Sequence, residues 1–138
     1  MRVWGRQSDI ETLQNWVAAL NARDFAAMAD AMATDFRFID SSGDEMVGRE
    51  QCLAMLATLF EKAPDHKVQI DRIAHRGDDM LISGLTSASH PKHATSTHFV
   101  AQADHRHVKS WQSFSDRPTH TLQHFSSADN LQSPATSR

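Results

Sequence analysis

The sequence predicts an α+β domain, with three helices first and a mostly antiparallel sheet after them. Three observations carry that expectation. Apolar residues recur at helical spacing as far as Phe60. After Pro64 the period changes to strand alternation. The polar connections Arg76-Gly77-Asp78-Asp79 and Asp104-His105 then join neighbouring strands as hairpins. Helices followed by a run of strands is the pattern of α+β architecture.

Ser8 and Glu11 have the spacing of a capping box, which predicts a first helix over residues 9–21. Ile10, Leu13, Val17 and Leu20 form its apolar stripe, with Trp16 beside them. Asp24 is placed to cap a second helix carrying Phe25, Met28, Ala29 and Met32, expected to fade near Thr34. Residues 36–40 read as a strand, because Phe36 and Phe38 stand two apart. Ser41-Ser42-Gly43-Asp44 supplies a turn, and residues 45–47 a short returning strand. Gly48 opens a third helix with Leu53, Leu56, Leu59 and Phe60, and Pro64 marks its end. Four strands are expected over residues 67–75, 79–89, 95–103 and 106–115. The domain is expected to span residues 1–116. A polar tail, 117–138, follows, with Leu122, Phe125 and Leu131 as its sizeable apolar residues.

Composition narrows the function classes. The 138 residues suit one domain with a real core. A net charge of −3 provides no basic field for nucleic acid. No run approaches the roughly 18 apolar residues of a membrane span, and the first residues lack the apolar stretch of a signal peptide. Cys52 is the single cysteine, which fits a reducing cytoplasm, and its place on an apolar helix face suits a small core residue.

The candidate site residues follow from side-chain alternation. Phe36, Phe38 and Asp40 share one strand face, so a carboxylate emerges from an apolar surface. A carboxylate there is a candidate general base for proton abstraction next to a carbonyl. The other reading makes Asp40 the first residue of the Asp-Ser-Ser-Gly turn, bonded to backbone N–H groups. Trp16 interrupts the aliphatic stripe of the first helix, and its indole N–H is a donor for a ligand oxygen. Thr97 is expected to share a face with Phe99 and Ala101, and Trp111 with Lys109 and Ser113. Met55, Phe60 and Met80 read as pocket wall or plain core. His98 should point away from Thr97, and His105 and His107 should be solvated at a turn. His90 and His93 flank Pro91 in a loop-like stretch that does not aim two imidazoles at one ion, so no metal site is expected.

The segments "WVAALNARDFAAMADAMATDFRFID", "GDEMVGREQCLAMLATLF" and "VKSWQSFSD" resemble the nuclear transport factor 2-like superfamily, nearest its SnoaL-like polyketide cyclase and steroid delta-isomerase group. The resemblance covers about residues 8–116. It implies a cone-shaped, cystatin-like α+β barrel with a curved sheet closing over three helices, an apolar pocket and a homodimer. It places the isomerase general base at Asp40 and the two oxyanion positions at Trp16 and Thr97, with Phe38, Phe99 and Trp111 as further ligand-binding residues. The expected activity is isomerisation or cyclisation of a small hydrophobic carbonyl compound, with no cofactor because proton transfer needs none. The alternative is a non-catalytic ligand-binding or dimerisation module of the same fold.

Overall fold

The computed structural model describes residues 3–89, 96–115 and 122. Helix α1 (Val3–Ala22) begins well before the expected boundary, so Ser8 lies inside it and does not act as its cap. Leu13, Trp16, Val17 and Leu20 are buried along one stripe. At the α1 end Arg23 adopts a left-handed φ of 60°. Its guanidinium donates to the carbonyls of Leu20, Pro64 and His66 at 3.1, 2.8 and 2.7 Å, and lies 3.8 Å above the Phe60 ring. These bonds hold the turn against the loop that follows the third helix. Asp24 caps α2 (Phe25–Asp30), accepting from the Ala27 N–H at 3.1 Å.

Helix α2 is shorter than expected. Met32 is the first residue of β1 (Met32–Ile39), not the last of the helical stripe. The Val108 N–H donates to the Ala31 carbonyl at 2.7 Å, and Met32 is paired with Val108. Pairing with a distant strand overrides the local helical pattern here. Strand β2 (Glu45–Val47) returns antiparallel to β1. Gly48 then caps α3 (Arg49–Lys62) at a φ of 116°, which a side chain would strain.

The remaining strands are β3 (Lys67–Arg76), β4 (Asp79–Ser87), β5 (His98–Ala103) and β6 (Val108–Phe114). They form an antiparallel meander, and the six-stranded sheet runs β2-β1-β6-β5-β4-β3. The pairing of β1 with β6 is parallel: from β2 at one edge the chain passes through α3 to β3 at the far edge and returns strand by strand to β6. The sheet is therefore mixed, with one parallel pair among antiparallel ones. Gly84 sits at the β3–β4 register shift, where a Cβ would collide with the Gln69 carbonyl oxygen.

One face of the sheet is buried against the helices. Phe36 and Phe38 of β1, Met80 and Ile82 of β4, Phe99 and Ala101 of β5 and Trp111 of β6 meet Leu13, Trp16, Met55 and Leu56. No helix among the described residues is long and apolar enough to cross a membrane. His90, His93 and the tail fall outside the described residues, apart from Leu122.

Candidate functional site

The interior is organised around an aromatic row. The Trp16 ring lies 5.5 Å from Phe36 and 5.4 Å from Trp111, and Trp111 stacks on Phe99 at 4.6 Å. Phe38 is the strand partner of Trp111. Strand alternation and pairing thus bring Phe38, Phe99 and Trp111 to one sheet face, where Trp16 of α1 packs against Trp111, although the four are far apart in sequence. Within it the Trp16 indole Nε1 is buried and has no hydrogen-bond partner among the described residues. A buried donor left unmade costs about 1–3 kcal/mol.

Asp40 follows β1 at the edge of this region and is 1% exposed. Its carboxylate is fully engaged. Oδ1 accepts from the Ser42 N–H at 3.0 Å, the Ser42 hydroxyl at 2.6 Å and the Asp44 N–H at 3.1 Å. Oδ2 accepts from the Leu122 N–H at 3.0 Å. The backbone closes the same turn, with Asp40 N–H donating to Asp44 and Gly43 N–H to Asp40. Gly43 takes the positive φ of 96° that this turn requires. Of the two sequence readings of Asp40, the geometry matches the turn reading, extended to a fourth donor from the tail.

Other expected positions fall elsewhere. Thr97 is exposed just ahead of β5, and its hydroxyl oxygen lies 3.1 Å from His98 Nδ1. Burial resumes at Phe99, so the expected shared face of Thr97, Phe99 and Ala101 does not extend to Thr97. Lys109 is also exposed, not aligned with Trp111 and Ser113. A register shift between Gln102 and Ala103 changes the alternation of β6 near that residue. Phe60 packs under Arg23 and beside Phe25, while Met55 and Met80 are core. Among the described residues, no group of three metal-ligating side chains comes together.

Leu122 is the residue that sequence reasoning missed. It is 0% exposed and joins the main core cluster. A signal was present, since few sizeable apolar side chains interrupt the polar tail.

Cys52 is buried on α3, with its Sγ 3.7 Å from the Met46 carbonyl. Burial pushes its thiol up to about 12, outweighing a backbone hydrogen bond at Phe38 that acts the other way. The thiolate is the reactive form. Iodoacetamide at pH 8 is therefore expected to leave Cys52 unmodified in the folded chain and to alkylate it fully in denaturant. Modification at equal rates in both states would contradict its burial.

The profile of the SnoaL-like domain family matches residues 13–125. The chain belongs to the SnoaL-like domain family. Solved structures share its fold. An LEH-like epoxide hydrolase from M. tuberculosis superposes with a TM-score of 0.69 at 17% identity, covering 80% of this chain and 79% of its own. A SnoaL-like protein from Jannaschia sp. CCS1, described as a polyketide cyclase, gives 0.64 at 19% identity, covering 80% and 86%. A Catenulispora acidiphila protein of ketosteroid isomerase-like fold, in complex with trimethylamine, gives 0.64 at 22%, covering 75% and 84%. No curated protein sequence matches the chain. This SnoaL-like domain shares its fold with proteins described as cyclases, isomerases and epoxide hydrolases, and fold alone does not assign it one of those activities.

Proposed function

We propose that this SnoaL-like domain is a non-catalytic binder of a small, largely apolar ligand carrying a carbonyl-type oxygen. One contrast supports the reading. The Trp16 indole N–H is a buried donor lacking an acceptor among the described residues, whereas the Asp40 carboxylate already accepts four hydrogen bonds. A general base must be within reach of a substrate proton, and the oxygens of Asp40 are engaged by its own turn and by Leu122. An aromatic surround and one polar donor are the usual makings of a small-molecule site. The trimethylamine bound by the structural relative from Catenulispora acidiphila is consistent with a small ligand in this fold.

The expected partner is a second copy of the chain. Leu81, Leu85 and Phe114 are large apolar side chains exposed on the sheet, and a shared sheet face would cover them.

Native mass spectrometry of the purified chain tests both parts. A low-molecular-mass adduct and twice the chain mass are expected. A bare single-chain mass, with no uptake from a panel of cyclic ketones, would sink the binding reading and the dimer together. The non-catalytic part has its own control, in which α-proton exchange of those ketones is compared between native protein and Asp40→Asn. Equal rates are expected, and faster exchange by the native chain would restore Asp40 as a base.

A further inference from the structure

We propose that the Asn21 side chain stands in for a strand on the outer edge of β3, and keeps that edge from pairing with β3 of a second copy of the chain. Strand β3 is last in the sheet order, with β4 on one side and no strand among the described residues on the other. The hydrogen bonds of β4 show which β3 groups face outward. The Gly84 and Thr86 N–H groups donate away from β3, to the Thr97 and Ser96 carbonyls at 3.0 and 2.9 Å. Alternation then turns their β3 partners, Ile70 and Val68, outward, and Ile73 opposite Ile82 likewise. Asn21 meets the first of these outward residues. Its Nδ2 donates to the Val68 carbonyl at 2.8 Å, and its Oδ1 accepts from the Val68 N–H at 2.9 Å. One side-chain amide thus makes both bonds that an antiparallel neighbour would make at Val68.

An open sheet edge is a template for another chain, and the pattern of β3 suits a copy of itself. In the antiparallel register that overlaps Lys67–Arg76 in full, Ile70 lies opposite the partner's Ile73. Both residues direct their backbone groups outward, so they would bond across the junction as a β-branched pair. The next outward residue, Val68, would have to bond the partner's His75. Asn21 already occupies both Val68 groups, and the two-fold symmetry of such a pair repeats that block at its other end. Two further features oppose the same pairing. Lys67 would face the partner's Arg76, a like-charge contact. The register shift between Ile70 and Arg72 sets an extra residue, Asp71, in mid-strand, and a bulge there interrupts a ladder. Asn21 reaches the edge from the last turn of α1, 47 positions before Val68.

Amide hydrogen exchange on the full chain, followed over a series of protein concentrations, tests the proposal without any ligand. In the wild-type chain the Ile70 and Ile73 amides are expected to exchange at least about 100-fold faster than the Phe99 amide of β5, which has a strand on each side. That ratio should hold at every concentration. In Asn21→Ala the same two amides are expected to become protected as concentration rises, with a gain in native mass beyond that of the wild-type chain. Unchanged exchange at Ile70 and Ile73 across the series would make Asn21 a local fold contact and overturn the proposal. Association that leaves both amides exposed would overturn it too, by placing the contact on another surface. Leu13→Ala controls for lost stability, because it truncates a fully buried side chain away from the edge. It is expected to show no such concentration dependence, and the same protection in Leu13→Ala would trace the effect to destabilisation and overturn the proposal. The wild-type measurement stands even where Asn21→Ala does not fold. Exchange of Ile70 and Ile73 as slow as that of Phe99 would show an edge already covered, with nothing left for Asn21 to guard.

Discussion

Asp40→Ala is expected to destabilise the folded chain by about 3 kcal/mol or more. The methyl group accepts nothing, so the N–H groups of Asp44 and Leu122 lose their acceptor in buried surroundings, and Ser42 loses two bonds. Donors to an ionised acceptor form the stronger class of hydrogen bond, and each one left unmade costs about 1–3 kcal/mol. Asp40→Asn is expected to lose less, about 1–2 kcal/mol. Its carbonyl oxygen still accepts from the turn, while its amide faces the Leu122 N–H donor to donor. Urea unfolding followed by tryptophan fluorescence measures both, with an unchanged slope against urea showing that the loss is in stability. A loss under 1 kcal/mol for Asp40→Ala would mean that the carboxylate is not an anchor. An essential catalytic carboxylate commonly behaves in the opposite way, with its removal costing activity and sparing stability.

Trp16 supports the second large expectation, and here two substitutions separate packing from recognition. Trp16→Ala removes the ring between Phe36 and Trp111 and is expected to cost about 3–5 kcal/mol. Trp16→Phe keeps an aromatic ring in the row but deletes the unpartnered N–H. Its cost in free protein is expected to stay within about 1.5 kcal/mol, since the lost volume is partly offset by the lost orphan donor. Affinity for a bound cyclic ketone is expected to fall about tenfold, equivalent to about 1.4 kcal/mol for one hydrogen bond. Isothermal titration with the ketone found by mass spectrometry reads that change. Unaltered affinity in Trp16→Phe would leave Trp16 as core packing alone.

The sites of agreement and disagreement with the sequence have physical causes. Phe36, Phe38 and Asp40 share a buried face because strand alternation is a local rule, and it holds wherever the strand is regular. Lys109 departs from the face of Trp111 because a register shift near it changes the phase, and such shifts depend on the partner strand. Met32 departs from its helical stripe for the same kind of reason, since its β-bridge to Val108 spans most of the chain. Ser8 and Glu11 have the spacing of a cap, yet α1 continues upstream of them. A cap motif has an effect only where the backbone actually ends.

The amino-acid order by itself determined the α+β class, the run of strands after Pro64, the hairpin connections and the apolar faces on which Trp16, Phe38, Phe99 and Trp111 stand. These are consequences of period and composition, which act over a few residues. Only the tertiary structure decided which hydrogen bonds Asp40 accepts. Its two readings are identical in local sequence, and they separate through the donors of the Ser42–Asp44 turn and through Leu122, which lies 82 positions away. Hydrogen bonds between groups so distant in sequence leave no trace in spacing or alternation, because the parallel pairing of β1 with β6 is what brings the two ends together.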